Sequence, residues 1–391
     1  MEHFAIVHAI CRLALAQPTD ALVFQVKRLA DALLEGGNEE DASALRAVLL
    51  LSERSAEMTP RRLVPARGIA VSGEALLPNT ILPADKETGA RLLDVIFPSE
   101  TAKALPIFSD AHRRAAEQLV AEWSNAERLR EVGVSPTMSC LILGAPGTGK
   151  TTLAYWLAHQ LGLPVVLARI DAMMSSFLGT SARNITQVFN FANRFKCILV
   201  LDEFDSIAKM RDDPNEAGEI KRVVNALLQN LDTRKPIGIT IAVTNHPKLL
   251  DSAVWRRFEV QVQVPLPDFT TRCEIVRRYA TPCEYSEPEI LTMAALLDGC
   301  SGAEVEDFVR AYKKRFILDP VPTSPIEAMR DVIVINDGRV SNEVKAKFLT
   351  DDAHLAVWLK NNDELSLGVV EIASLIGKSK SAVSRLMNTK F

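Results

Sequence analysis

The sequence predicts an α/β protein: a five-stranded parallel sheet sandwiched between helices, set in the middle of the chain and flanked by all-helical modules. Three observations carry this. Short apolar runs at 138–143, 164–170, 197–201, 237–243 and 260–264 alternate with helical stretches near 151–161, 181–195 and 219–231. The runs are apolar throughout, as strands buried on both faces are, and strands separated by helices pair in parallel. Between the first run and the first helix lies Gly-Ala-Pro-Gly-Thr-Gly-Lys-Thr at 144–151. This fits G-x-x-x-x-G-K-[ST], a loop that wraps phosphate groups, and the strand–loop–helix setting makes the match specific.

The remaining elements follow in order. Residues 3–53 read as three helices, with Leu22, Val26, Leu29 and Leu33 on one face of the second and Leu45, Val48 and Leu49 on one face of the third. A helical docking domain over 1–53 is expected. Pro60, Pro65, Pro78, Pro83 and Pro98 break any sustained period and mark 54–98 as a linker. A nucleotide-binding subdomain then covers 99–266, ended by Pro265 and Pro267, and a helical lid covers 267–319. Pro320, Pro322 and Pro325 open a C-terminal helical region, 320–391.

Composition narrows the class. Of 391 residues, 48% are hydrophobic and 24% charged, as in soluble globular proteins. A net charge of -4 excludes a molecule that binds polyanions over its whole surface, so any basic patch is local. No apolar run reaches the roughly 18 residues that span a bilayer. Glu2 and Arg12 argue against a signal peptide, so no membrane contact and a cytoplasmic location are expected. The six cysteines lack C-x-x-C spacing and the six histidines lack zinc-ligand spacing; reduced buried thiols follow.

The chemistry sits on two strand ends. Glycines let the backbone of Ala145, Pro146, Gly147, Thr148 and Gly149 turn successive N–H groups toward phosphate oxygens, with Thr152 beginning the helix whose N-terminus faces them. Lys150 supplies charge to the β- and γ-phosphates, and the Thr151 hydroxyl suits Mg²⁺. The apolar run 197–201 ends in Asp202 and Glu203. Asp202 suits the metal and Glu203 the polarisation of an attacking water. ATP and Mg²⁺ are the cofactors this constellation takes, and ATP hydrolysis is the reaction. Asp205 is expected to cap the next helix or to support the metal shell.

Asp202-Glu203-Phe204-Asp205-Ser206-Ile207 resembles the D-E-[IFL]-D-x-[IL] box of the AAA family of ring-forming P-loop ATPases. Val243-Thr244-Asn245-His246-Pro247 is similar to that family's sensor-1 strand end, which implies that Asn245 orients water near the γ-phosphate. Residues 250–259 resemble the arginine-finger segment in a short form, with Arg256 and Arg257 adjacent. The resemblance implies that one or both reach the nucleotide of a neighbouring subunit, and leaves open which. Ser301-Gly302-Ala303-Glu304-Val305-Glu306 resembles the start of the lid helix, so Gly302 and Ala303 are implied to close over adenine. The resemblance spans roughly 100–318 and implies an αβα sandwich with a helical lid, assembled as a homo-hexamer.

Two further segments bear on what hydrolysis drives. Phe177, Leu178 and Gly179 occupy the place where AAA proteins project a loop into the central pore, which implies grip on a protein substrate. Arg211–Gly218 reads as a second pore loop or a plain surface loop. At 368–389, Ala373, Gly377, Val383 and Leu386 hold the packing positions of a helix-turn-helix-like unit. In it Lys380, Ser381, Ser384 and Arg385 would face duplex DNA. The chain thus reads as a ring ATPase that remodels or threads a protein. It is similar to small bacterial AAA ATPases, some encoded beside subtilisin-like proteases, which implies support for a partner protease in defence. A DNA-directed ATPase and an ATP-dependent scaffold are the alternatives.

Overall fold

The structure is a computed structural model. It describes residues 20–36, 41–49, 73–101, 105–174, 180–206, 217–234, 237–250, 252–318, 324–335 and 349–388, with a few single positions between them. The chain divides into two units, Met1–Ala66 and Arg67–Phe391.

In the first unit, helix α1 (Asp20–Glu35) and helix α2 (41–49) share one apolar cluster. Val26, Ala30 and Leu33 from one meet Ala42, Leu45, Val48 and Leu49 from the other. Val26, Leu33, Leu45, Val48 and Leu49 are buried as the helical spacing predicts, with Leu29 partly buried against them, and the Leu22 side chain lies outside the described residues. The expected helix before α1 lies almost wholly outside the described residues.

The second unit is built on a sheet of six strands, not five: β1 (Leu93–Ile96), β2 (Ser139–Gly144), β3 (Val165–Ala168), β4 (Ile198–Leu201), β5 (Ile239–Thr244) and β6 (Val260–Val264). Their order is β1-β3-β4-β5-β2-β6. The five expected strands pair in parallel, with Leu141 opposite Ala242 and Leu199 opposite Thr240. The sixth, β1, comes from within the stretch read as a linker and runs antiparallel at the edge, Leu93 opposite Ala168 and Ile96 opposite Val165. Four residues interrupted by Asp94, among prolines, carry too little pattern to announce a strand; the pairing with β3 makes it one. The same stretch is pinned further on. Asn184 donates to the buried Asp85 at 2.7 Å, and Arg194 pairs with Glu74.

Alternation along the strands sorts side chains into two layers. Leu141, Leu143, Leu199 and Leu201 face α7 (Thr180–Ala192) and α8 (Ala217–Asp232). Cys140, Ile142, Ile198 and Val200 face α3 (Asp110–Ser124) and α5 (Lys150–Leu161). Two short helices, α4 (Ala126–Glu131) and α6 (Ile170–Met173), complete this layer arrangement, and α9 (Ser252–Trp255) leads into β6.

A helical body follows: α10 (Phe269–Ala280), α11 (Glu287–Leu296), α12 (Gly302–Leu318), α13 (Pro325–Ile335), α14 (Asp352–Asn361), α15 (Val369–Ile376) and α16 (Lys380–Met387). The prolines after 319 do not divide its core. Met293, Val305 and Val309 share one buried cluster with Met329, Leu359, Ile372, Leu375 and Val383. The C-terminal helices are therefore continuous with the lid.

Helices α14, α15 and α16 form a three-helix unit. The α15–α16 turn depends on Gly377, whose φ is +73°, and whose carbon-free face lies against Ser324. A Cβ there would come within 2.7 Å of the Ser324 Cβ. Gly377→Ala is expected to cost about 1–3 kcal/mol through left-handed strain and this clash. Thermal unfolding would read it as a melting temperature lowered by several degrees, and an unchanged value would show that the turn gives way.

Candidate nucleotide site

In a parallel sheet every strand's carboxyl end lies on one edge, and ligands bind in the crevice outside it where the strand order switches. Here β2 ends at Gly144, and Asp202 and Asn245 directly follow the last residues of β4 and β5 along that edge. The connection from β2 passes over β5 and β4 to reach β3, which opens the crevice beside β2.

The loop after β2 is tightly enclosed. Gly144 backs onto β6, where a Cβ would sit 2.2 Å from the Val264 carbonyl oxygen. Gly147, at φ +75°, passes under the start of α12, where a Cβ would meet the Ser301 hydroxyl at 2.7 Å. Such contacts leave space for backbone alone at Gly144 and Gly147. The Ala145 carbonyl accepts from the Thr148 hydroxyl at 2.9 Å and from the Lys150 ammonium at 2.7 Å. Lys150 is only 5% exposed. Burial lowers its pKa, against the pull of Asp202 and Asp205.

The strand ends meet this loop. The Thr151 hydroxyl donates to an Asp202 carboxylate oxygen at 2.9 Å, while the other accepts the Glu203 N–H at 2.8 Å. Glu203 is exposed and left-handed, φ +50°. A non-glycine residue held there costs energy. The Asp205 carboxylate accepts from the Thr244 hydroxyl at 3.0 Å and the Asn245 N–H at 3.2 Å, and the helix it is expected to cap lies mostly outside the described residues. Burial pushes its pKa up, but these hydrogen bonds outweigh that and hold it below the ordinary value. It straps the end of β4 to the end of β5 and so sets Asn245.

These groups line a cleft of about 660 Å³. Its walls include Pro146, Gly147, Thr148, Gly149, Lys150, Thr151 and Thr152, with Asp202, Glu203 and Asn245. The lid closes the other side with Gly302 and Ala303, and the Ala303 N–H donates to the Gly147 carbonyl at 3.0 Å. Five lining residues carried no sequence signal, Pro106, Ile107, Ile275, Arg278 and Tyr279, and Glu306 ended the lid-helix motif with no role assigned to it. Apolar residues in helical stripes look like any core, and 105–108 has no period at all. The only available clue was spacing: Ile275 and Tyr279 are one turn apart.

Comparison with known proteins agrees with this geometry. Residues 140–266 match the family model described as the ATPase family associated with various cellular activities. An uncharacterized AAA family ATPase, y4kL, of Sinorhizobium fredii is 33% identical over 285 residues, covering 72% of this chain and 82% of the relative. The chain belongs to the AAA family of ATPases. The proteasome-activating nucleotidase of Pyrococcus horikoshii is 29% identical over 254 residues, 63% of this chain and 64% of that protein. The ATP-dependent zinc metalloprotease YME1L1 of Mus musculus is 30% identical over 253 residues, 62% of this chain and 35% of that protein. No helix among the described residues is long and apolar enough to cross a membrane.

In this AAA ATPase the two adjacent arginines are not part of their own cleft. Arg257 is clamped: its guanidinium makes two hydrogen bonds to Asp232, at 2.9 and 3.0 Å, and one to the Ala253 carbonyl. Arg256 is exposed and makes no hydrogen bond or ion pair among the described residues. Phe177, Leu178 and Gly179 lie outside the described residues, as does most of Arg211–Gly218. On α16, Lys380, Ser381, Ser384 and Arg385 are all exposed, with Val383 buried beneath them. The neighbouring Lys378 is paired with Asp352.

Proposed function

We propose that this chain forms a ring, a homo-hexamer, that hydrolyses ATP at subunit seams and uses the cycle to remodel or thread a protein through its pore. The observation that carries the seam is the contrast between the arginines: Arg257 is tied down, while Arg256 stands free and away from its own cleft. A cation so placed meets a nucleotide only across an interface.

The residues present fit ATP and Mg²⁺. A loop with no room for a side chain at Gly144 or Gly147 suits phosphate oxygens, and the Thr151 hydroxyl beside the Asp202 carboxylate offers the hard oxygen donors Mg²⁺ takes. Bound Mg²⁺ neutralises charge on the β- and γ-phosphates. Lys150 holds the β- and γ-oxygens from the floor of the cleft. Glu203, aimed by its left-handed backbone, draws a proton from the attacking water, and Asn245 orients that water. Arg256 of the next subunit offsets charge developing on the γ-phosphoryl group. Gly302 and Ala303 close the adenine end.

Protein remodelling draws support from the relatives, whose names are those of a proteasome-activating nucleotidase and an ATP-dependent protease. Phe177, Leu178 and Gly179 supply the grip in this reading. The protein works in the cytoplasm and delivers its substrate to a partner effector, such as a protease of a bacterial defence system. An unfolded polypeptide is expected to raise the ATPase rate severalfold, with Phe177→Ala abolishing the rise but not the basal rate. The exposed Lys380 and Arg385 on α16 favour a second reading, a DNA-directed ATPase used as loader, transposition helper or regulator. Pairing of Lys378 with Asp352 weakens it. Stimulation by duplex DNA instead of polypeptide, lost when Lys380 and Arg385 are made glutamate, would replace the first reading with the second. Deleting α15 and α16 is no substitute, because Ile372 and Leu375 belong to the lid core.

A further inference from the structure

Glu306 is an acid in a cleft built to take polyanions. A carboxylate there repels phosphates unless it is both compensated and used. Compensation is visible. Arg310, one turn on along α12, pairs with Glu306 and also lies over the Tyr279 ring, 5.8 Å from its centroid. The Tyr279 ring therefore lies beside the Glu306–Arg310 pair. Burial raises the pKa of its hydroxyl, and the neighbouring Glu306 carboxylate raises it further, so the phenol keeps its proton. The Arg310 guanidinium orients the carboxylate. An ionised carboxylate has about four acceptor sites, so lone pairs remain for a further partner.

The position of that partner follows from the lid. The Ala303 N–H is bonded to the Gly147 carbonyl, so the first turn of α12 stands over the phosphate loop. Glu306 is three residues further, about 4.5 Å along the helix, and the apolar pair Ile107 and Ile275 lies in the same cleft. In a nucleotide the sugar lies between phosphates and base. On the reading of this cleft as the ATP site, we propose that Glu306, positioned by Arg310, accepts hydrogen bonds from the ribose hydroxyls and makes the enzyme select ribonucleotides over deoxyribonucleotides. A site built to bond a hydroxyl rejects the analogue lacking it, because its own polar group is then left unpaired.

Isothermal titration of the unaltered protein with ADP, 2′-deoxy-ADP, 3′-deoxy-ADP and GDP tests this without hydrolysis. ADP is expected to bind about tenfold more tightly than at least one deoxy analogue, the difference a hydrogen bond to a charged group supplies. Glu306→Ala should shrink that ratio to about one, chiefly by weakening ADP, and Glu306→Gln, which keeps an acceptor oxygen, should restore part of it. Equal affinities for ADP and both deoxy forms in the unaltered protein would overturn the proposal while leaving the nucleotide site standing. Loss of the preference for ADP over GDP in Glu306→Ala, with sugar discrimination retained, would overturn it by showing that the carboxylate reads the base. Absence of ADP binding would overturn the reading of the cleft itself.

Discussion

Alanine at Arg256 is expected to cut ATP turnover by about 10³-fold or more while nucleotide affinity is retained, the range seen when a guanidinium that offsets transition-state charge is lost. The expectation comes from placement. Arg256 lines no part of its own cleft and has no partner among the described residues, so its removal disturbs neither the phosphate loop nor the fold. Arg257→Ala is a different lesion. It releases the clamp on Asp232 and Ala253, and so loosens the segment that carries Arg256. Turnover should fall, but less. Steady-state phosphate release and a binding titration separate the two effects. Mixing Arg256→Ala with Glu203→Gln protein adds a geometric test. Neither variant hydrolyses alone, yet a mixed ring contains seams with an intact Glu203 on one side and an intact Arg256 on the other. Partial recovery is expected. Recovery absent from mixed rings, or a larger loss in Arg257→Ala than in Arg256→Ala, would contradict the assignment.

Lys150→Ala should lower ATP affinity by about 100-fold or more, since a charge-assisted contact and its Coulomb attraction are lost at a desolvated position. At 5% exposure Lys150 is screened little by water, and its ammonium sits among Ala145, Asp202 and Asp205. Removing it leaves the Asp202 carboxylate with no buried cation nearby, which adds repulsion toward phosphate to the loss of attraction. An equilibrium titration with labelled ATP reads the change directly. Normal affinity in this variant would mean that the loop at 144–151 does not hold the phosphates.

The elements that carry this chemistry were legible because each is written locally. The loop at 144–151 has its glycines and lysine in one run, and Asp202-Glu203 ends an apolar strand. Parallel strands were legible as well, since burial on both faces removes polar alternation. The strap that Asp205 forms was not legible because Thr244 and Asn245 are some forty residues away. β1 was read as linker because an edge strand of four residues exists only through its neighbour. The lid boundary at the prolines dissolved for the same reason: prolines stop helices, but they say nothing about which helices share a core.

Taken by itself, the chain's order of residues determined the family's motifs, the parallel sheet and the loop and strand-end groups proposed to meet phosphate and metal. All of these depend on neighbours within a few positions. The tertiary structure alone decided that Arg257 is clamped and Arg256 free, that Ile107, Tyr279 and Glu306 enter the cleft, and that the last three helices complete the lid. Those outcomes rest on contacts between distant segments, and a contact formed by packing and charge in three dimensions leaves no mark in the spacing of either partner.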